Sequence, residues 1–191
     1  QGDAGSDTYV FSRGSGQDVI SNNDTSTGKT DTLEFGADIL PADIVMTRSG
    51  TDLVLAIAGT TDKVTVRSFF DTDGNGAYAL EQVRFADGTT WDKATVKLLA
   101  IAGNDTAQDL RGYATADVIN GLGGNDVISG GSGNDTIDGG DGADSLNGDN
   151  GDDVIYGGSG NDTVYAGSGN DRLDGGIGND YLQGDAGSDT Y

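Results

Sequence analysis

Residues 121–191 read GLGGNDVIS (121–129), GGSGNDTID (130–138), GGDGADSLN (139–147), GDNGDDVIY (148–156), GGSGNDTVY (157–165), AGSGNDRLD (166–174), GGIGNDYLQ (175–183) and GDAGSDTY (184–191), an unbroken nine-residue period. Gly holds the fourth place of every unit, and Asp holds the sixth: Asp126, Asp135, Asp144, Asp153, Asp162, Asp171, Asp180 and Asp189. The eighth place is always apolar or aromatic: Ile128, Ile137, Leu146, Ile155, Val164, Leu173, Leu182 and Tyr191. A looser unit, GYATADVIN (112–120), precedes these and supplies Asp117 and Ile119. A disordered acidic linker shares this composition, but nothing in disorder fixes an apolar residue at every ninth place.

The residue types suit a hard cation. Gly permits positive φ and lets backbone carbonyls converge without a Cβ clash. Calcium takes about six to eight oxygens at roughly 2.3–2.6 Å, a set that one carboxylate and a bared backbone can supply. The single apolar residue of each unit points inward from a short strand, and its counterpart on the opposite strand completes a narrow core.

Composition agrees. A chain with 34 Gly and 34% apolar residues has little material for a large core. The formal charge of −22 is carried almost wholly by Asp, Glu34 and Glu81 being the only glutamates, which disfavours nucleic acid and anionic membrane as partners. With no Cys and no His, the usual zinc, copper and haem ligands are missing, as are thiol and imidazole catalysis. No stretch approaches the roughly twenty apolar residues of a membrane span, so no membrane insertion is expected. No signal peptide opens the chain, which starts mid-pattern as an excised fragment would.

The repeat resembles the RTX family, the GGxGxDxUx nonapeptide repeat of calcium-binding bacterial exoproteins. The resemblance implies an all-β fold whose C-terminal part is a parallel β-roll: six residues make a turn, three make a short strand, and two units complete one coil. It implies calcium between same-side turns, held by the sixth-place Asp carboxylates and by carbonyls of the Gly-rich segments, here Gly121, Gly124, Gly130, Gly133, Gly139, Gly142, Gly148, Gly151, Gly157, Gly160, Gly169, Gly175 and Gly178. Because same-side turns lie two units apart, Asp126 stacks on Asp144, Asp135 on Asp153, and so on to Asp171 on Asp189. Roughly six ions are expected, more if Asp117 joins.

Magnitudes then make the metal decisive. Burying one Ile or Leu yields about 1.5–3 kcal/mol, less than the cost of ordering its nine-residue unit at roughly 1–2 kcal/mol per residue in backbone entropy. Stacked carboxylates about 4.8 Å apart repel by roughly 3 kcal/mol at an effective dielectric of 20. The repeat segment is therefore expected to be expanded without calcium and to fold cooperatively with it.

The chain also opens with QGDAGSDTY, identical to Gln183–Tyr191, as if it covered one 182-residue period of a tandem array plus an overlap. A relaxed unit, RGSGQDVIS (13–21), follows, and Asp7 and Asp18 are lesser calcium candidates. From about Asp31 the pattern becomes that of antiparallel strands with turn signals: strands near 31–35, 44–48, 53–57, 63–70, 80–85 and 89–91, then a short helix or extended cap over 91–99. YVFSRGSGQDVISNND, TDTLEFGADILPADIVMTRSGTDLVLAIAG and EQVRFADGTTWD make this region similar to the haemolysin-type calcium-binding protein-related domain. The expected organisation is the end of a preceding repeat array (1–21), that small antiparallel β domain (22–99) and the roll (100–191). Asp71-Thr72-Asp73-Gly74-Asn75-Gly76 matches half of an EF-hand loop, but Gln82 stands where the bidentate Glu belongs, so a surface turn is expected. Phe69, Phe70, Tyr78, Phe85 and Trp91 read as core, and Glu34 and Glu81 as structural or solvated rather than as a glycosidase pair.

The resemblance implies a non-catalytic, calcium-rigidified structural or folding module of a large secreted or cell-surface bacterial protein, such as an adhesin, surface-layer component or stalk, exported through a type I channel and folded by extracellular calcium. The alternative is the C-terminal repeat module of a secreted protease, lipase or epimerase whose catalytic domain lies elsewhere. Expected partners are calcium ions and neighbouring copies of the module in tandem or head to tail; no residue signature identifies a carbohydrate or host-surface ligand.

Overall fold

A computed structural model describes residues 2–74 and 76–191; Gln1, the first residue of the duplicated nonapeptide, and Asn75 of the EF-hand-like stretch lie outside the described residues. The chain divides into two units, 1–100 and 101–191.

The first unit holds β1 (Thr8–Phe11), β2 (Gln17–Ile20), β3 (Thr32–Phe35), β4 (Ile44–Ser49), β5 (Asp52–Ile57), β6 (Lys63–Val66), β7 (Gln82–Arg84), β8 (Thr90–Asp92) and α1 (Lys93–Ala100). They form two four-stranded sheets, ordered β1-β3-β7-β8 and β2-β6-β5-β4. Antiparallel pairs β4–β5, β5–β6 and β7–β8 are set into a parallel frame in which β1 pairs β3, β3 pairs β7 and β2 pairs β6. That frame is invisible to a local pattern because its partners are separated by whole hairpins. The strand expected over 63–70 stops at Val66, since Ser68 takes a left-handed φ of 52° and donates its N–H to Asp52 Oδ1 at 2.8 Å. Alternation along β5 buries Leu53, Leu55 and Ile57, while Phe11, Phe35 and Phe85 form an aromatic column that Trp91 extends, 4.6 Å from Phe85. Residues 71–74 form tight turns in which Thr72 and Asp73 are left-handed, and among the described residues no long helix of the EF-hand kind flanks them.

The second unit is a parallel β-solenoid of about five turns over residues 102–183. Its strands are β9 (Ala102–Asn104), β10 (Asp109–Arg111), β11 (Val118–Leu122), β12 (Val127–Ser132), β13 (Thr136–Asp141), β14 (Ser145–Asn150), β15 (Val154–Ser159), β16 (Thr163–Tyr165), β17 (Arg172–Asp174) and β18 (Tyr181–Gln183). Alternate strands stack into two five-stranded sheets, β10-β12-β14-β16-β18 and β17-β15-β13-β11-β9. Registers advance by two units, as in Val127↔Ser145 and Thr136↔Val154. The eighth-place residues Ile119, Ile128, Ile137, Leu146, Ile155, Val164 and Leu173 are buried between the sheets.

Strands β12 to β15 are twice the expected three residues, because the ladder resumes beyond the corner: Gly131 pairs Asp149 and Ser132 pairs Asn150, with Gly130 skipped. Gly131, at φ 104°, turns the chain there without losing the ladder. At the fourth place the need for Gly is steric as well. Gly160, at φ 142°, presses its Cα so close to the Gly142 carbonyl of the coil below that no Cβ fits.

Candidate metal centres

In the solenoid each sixth-place Asp begins at the corner just before a strand, and its two oxygens have different fates. Oδ1 accepts the backbone N–H of the sixth-place residue one coil back: Asp126→Asp144, Asp135→Asp153, Asp144→Asp162 and Asp153→Asp171 at 2.8 Å, Asp162→Asp180 and Asp171→Asp189 at 3.0 Å. Below them Asp117 donates to Asp135, and Gln108, in the same role, donates to Asp126. The expected stacking is thus a ladder of side chain onto backbone, two units per rung.

Oδ2 of Asp126, Asp135, Asp144, Asp153, Asp162 and Asp171 is buried and has no hydrogen-bond partner, in residues only 1–3% exposed. In the first five of these the Oδ2 points at the bare Cα of the first-place glycine of its own unit, Gly121, Gly130, Gly139, Gly148 or Gly157. A Cβ built on Gly139 would lie 2.5 Å from Asp144 Oδ2 and 2.5 Å from the carbonyl oxygen of Gly157 in the next coil; on Gly157 it would meet Asp162 Oδ2 at 2.6 Å and the Gly175 carbonyl at 2.5 Å. A carboxylate oxygen and a carbonyl oxygen from successive coils therefore converge on one cradle. At Asp171 the first place is Ala166, whose methyl group already stands there.

Six buried acceptors without donors are a large debt for a small domain, since each forfeits the hydrogen bond it had in water. Burial raises the carboxyl pKa of all six. The N–H from the preceding coil pulls it back in each case, and neighbouring carboxylates add to the rise at all but Asp126. Asp135 reaches about 6 and Asp153 about 7. Paired oxygens with no donor between them fit a hard cation, which would supply the missing charge. Among the described residues no three Asp or Glu side chains cluster as a metal cage; the donor set is rich in carbonyls, with one carboxylate per coil.

The remaining sequence candidates fall into three groups. Asp180 and Asp189 sit on rungs but are half-buried at the last coils. Asp117 also sits on a rung, but its Oδ2 accepts the N–H of Tyr113 at 2.7 Å, so its charge is met from within the chain. In the first unit Asp7 behaves as a sixth-place residue, its N–H donated to Asp31 Oδ1 at 2.8 Å and its Oδ2 buried without a partner. Asp18 is exposed on β2, opposite Val64 and away from any rung.

Sequence reasoning passed over the fifth place. There a side-chain oxygen accepts the N–H of the fifth-place residue one coil on: Asn125 from Ala143, Asn134 from Asp152, Asp152 from Asn170, Asn161 from Asn179 and Asn170 from Ser188, at 2.7–3.2 Å. The fifth- and sixth-place ladders run in opposite directions, so adjacent coils are clamped both ways. The frequent Asn before each Asp was the signal.

Residues 52–95 match the family described as haemolysin-type calcium binding protein related domain. Overlapping stretches 102–137, 111–146, 129–164, 138–173 and 156–191 match the RTX calcium-binding nonapeptide repeat. Over 106 residues, 56% of its length, the chain is 42% identical to "Iron-regulated protein FrpA" of Neisseria meningitidis serogroup C, and it spans about a tenth of the length of that relative. No helix among the described residues is long and apolar enough to cross a membrane. By repeat, register and match alike, residues 102–191 carry the RTX calcium-binding nonapeptide repeat, and residues 52–95 match the haemolysin-type calcium binding protein related domain.

Proposed function

We propose that the chain is a non-catalytic structural and folding module of a large secreted or cell-surface bacterial protein, ordered by calcium after export. About six ions lie between same-side coils, shared by the pairs Asp126/Asp144, Asp135/Asp153, Asp144/Asp162, Asp153/Asp171, Asp162/Asp180 and Asp171/Asp189. First- and fourth-place carbonyls complete each set. The observation that carries this reading is the row of six buried Oδ2 atoms without donors, five of which, those of Asp126, Asp135, Asp144, Asp153 and Asp162, share a glycine cradle with a carbonyl of the next coil. In the cytosol, where calcium is scarce, those carboxylates keep the coils apart; outside, the ion converts their repulsion into cross-links.

We assign residues 1–21 to the end of a preceding array running into the 22–99 domain, a reading supported by the parallel pairing of β1 with β3 and β2 with β6. Calcium titration of the full chain, followed by far-UV circular dichroism and a count of bound ions, tests the whole. Cooperative gain of β structure with about six ions is expected, blunted in Asp144→Ala and Asp162→Ala. A spectrum identical in excess chelator and in millimolar calcium refutes it.

A further inference from the structure

The aspartate ladder of the solenoid has a counterpart in the first unit that no nine-residue spacing reveals. There Asp7 donates its N–H to Asp31 Oδ1, and Asp31 donates its own to Glu81 Oε2, both at 2.8 Å. The residues that follow behave as strand starts do in the solenoid: Thr32 donates its N–H to the Asp7 carbonyl and Gln82 to the Asp31 carbonyl, just as Ser145 does to Asp126. Leu33 and Val83, next in line, are buried like the eighth-place residues. Asp7, Asp31 and Glu81 are therefore three successive rungs, separated by 24 and 50 residues instead of 18.

The middle rung is where this ladder departs from the other. Asp31 is fully buried, as Asp126 to Asp171 of the sixth place are in the solenoid, yet its Oδ2 is not an orphan. It receives the Lys29 ammonium at 2.6 Å and the Asn22 amide at 2.7 Å. The same ammonium lies 3.7 Å from Glu81 Oε2 on the next rung and 3.5 Å from the Ala79 carbonyl oxygen, with the Lys29 side chain only 8% exposed. It thus sits among carboxylate oxygens of two successive rungs and a backbone carbonyl, a set like the carboxylate and carbonyl oxygens that converge on the glycine cradles of the solenoid.

We propose that Lys29 is a built-in counter-cation that takes, between the Asp31 and Glu81 rungs, the place a calcium ion takes in the solenoid, so that the first unit holds its fold without metal while the second does not. The comparison rests on the calcium reading given above, but the claim about Lys29 stands or falls separately. A buried ammonium is covalently supplied at fixed stoichiometry, so mass action on external calcium has no hold on it. Loss of the ammonium would leave Asp31 as a buried charge met only by the Asn22 amide and the Asp7 N–H, the situation in which breaking an ion pair is most damaging.

Trp91, the only tryptophan, lies in β8 against Phe85 and reports on the first unit alone. The full chain is melted in EDTA and in millimolar calcium, with Trp91 fluorescence following the first unit and far-UV circular dichroism following the repeats. In the parent chain the Trp91 transition is expected in both solutions at nearly the same midpoint, whether or not the repeats are ordered. In Lys29→Met its midpoint falls by about 10 °C in EDTA, and calcium recovers most of that loss by entering the vacated rung. The double variant Lys29→Met/Asp31→Asn removes both charges, and its EDTA midpoint returns toward the parent value without a calcium response. A parent chain whose Trp91 signal is already unfolded in EDTA overturns the proposal, as does a single variant unchanged in EDTA or a double variant as weak as the single one. Failure of the calcium reading shows instead in a dichroism signal indifferent to metal, with the Trp91 outcomes unaffected.

Discussion

Replacing Asp153 by asparagine keeps the shape of the side chain while removing its charge and one carboxylate oxygen. Its Oδ1 still accepts the Asp135 N–H, the 2.8 Å bond that holds the rung. The new amide nitrogen takes the place of Oδ2, beside the Ala166 carbonyl that converges on the Gly148 cradle, and it can donate where the carboxylate could not. In chelator the change removes a carboxyl whose pKa is pushed up to about 7, so near neutral pH the metal-free roll is relieved of a costly charge. With screening allowed for, that relief is worth about 1–2 kcal/mol. In calcium the sign reverses. Asp153 serves two of the six proposed sites, those shared with Asp135 and Asp171, and loss of a charged ligand weakens each by about tenfold. Spread over a cooperative transition of roughly six ions, this raises the calcium midpoint about twofold and makes the transition shallower. Far-UV circular dichroism titrated with calcium reads the second effect; residual β structure in EDTA with sucrose as osmolyte reads the first. A variant that loses order equally in both solutions refutes the reasoning, because a purely structural rung has no cause to change sign.

Two further outcomes follow from the same ladders. Asp135 and Asp153 have folded-state pKa values of about 6 and about 7, raised above the ordinary carboxylate value of 3.8; their contribution to the metal-free roll is full below pH of about 4 and is lost as pH rises through those values. Order in EDTA should accordingly be greatest in acid and fade toward pH 7, while the calcium needed for folding should rise as pH falls, and order in EDTA that increases with pH excludes this account. Ala143 interrupts the fifth-place ladder, offering no oxygen to the Asn161 N–H; Ala143→Asn should stabilise the calcium-bound roll by about 0.5–1.5 kcal/mol in denaturant melts.

Where every coil is built on the same nine residues, a place in the sequence is a place in space. The sixth-place aspartates, the eighth-place core and the two-unit register of the solenoid were legible for that reason. The direction of the hydrogen bonds was not: that Oδ1 is consumed by the coil behind and Oδ2 is left bare depends on the pitch of one coil on the next. The fifth-place ladder was hidden for a related reason, since Asn in a Gly-rich turn reads equally well as turn chemistry.

In the first unit the sequence by itself determined strands, turns and an aromatic core, because these follow from alternation and local residue chemistry. Only the tertiary structure decided that Glu81, set aside as structural or solvated, is the third rung of a carboxylate ladder, and that Asp62 rather than Asp18 takes that role in the other sheet, accepting the N–H groups of Gly14 and Gly16. Hairpins inserted between coils change the spacing along the chain without changing the spacing across it. Periodicity can be read only while those two distances keep step, and from Asp7 to Glu81 they do not.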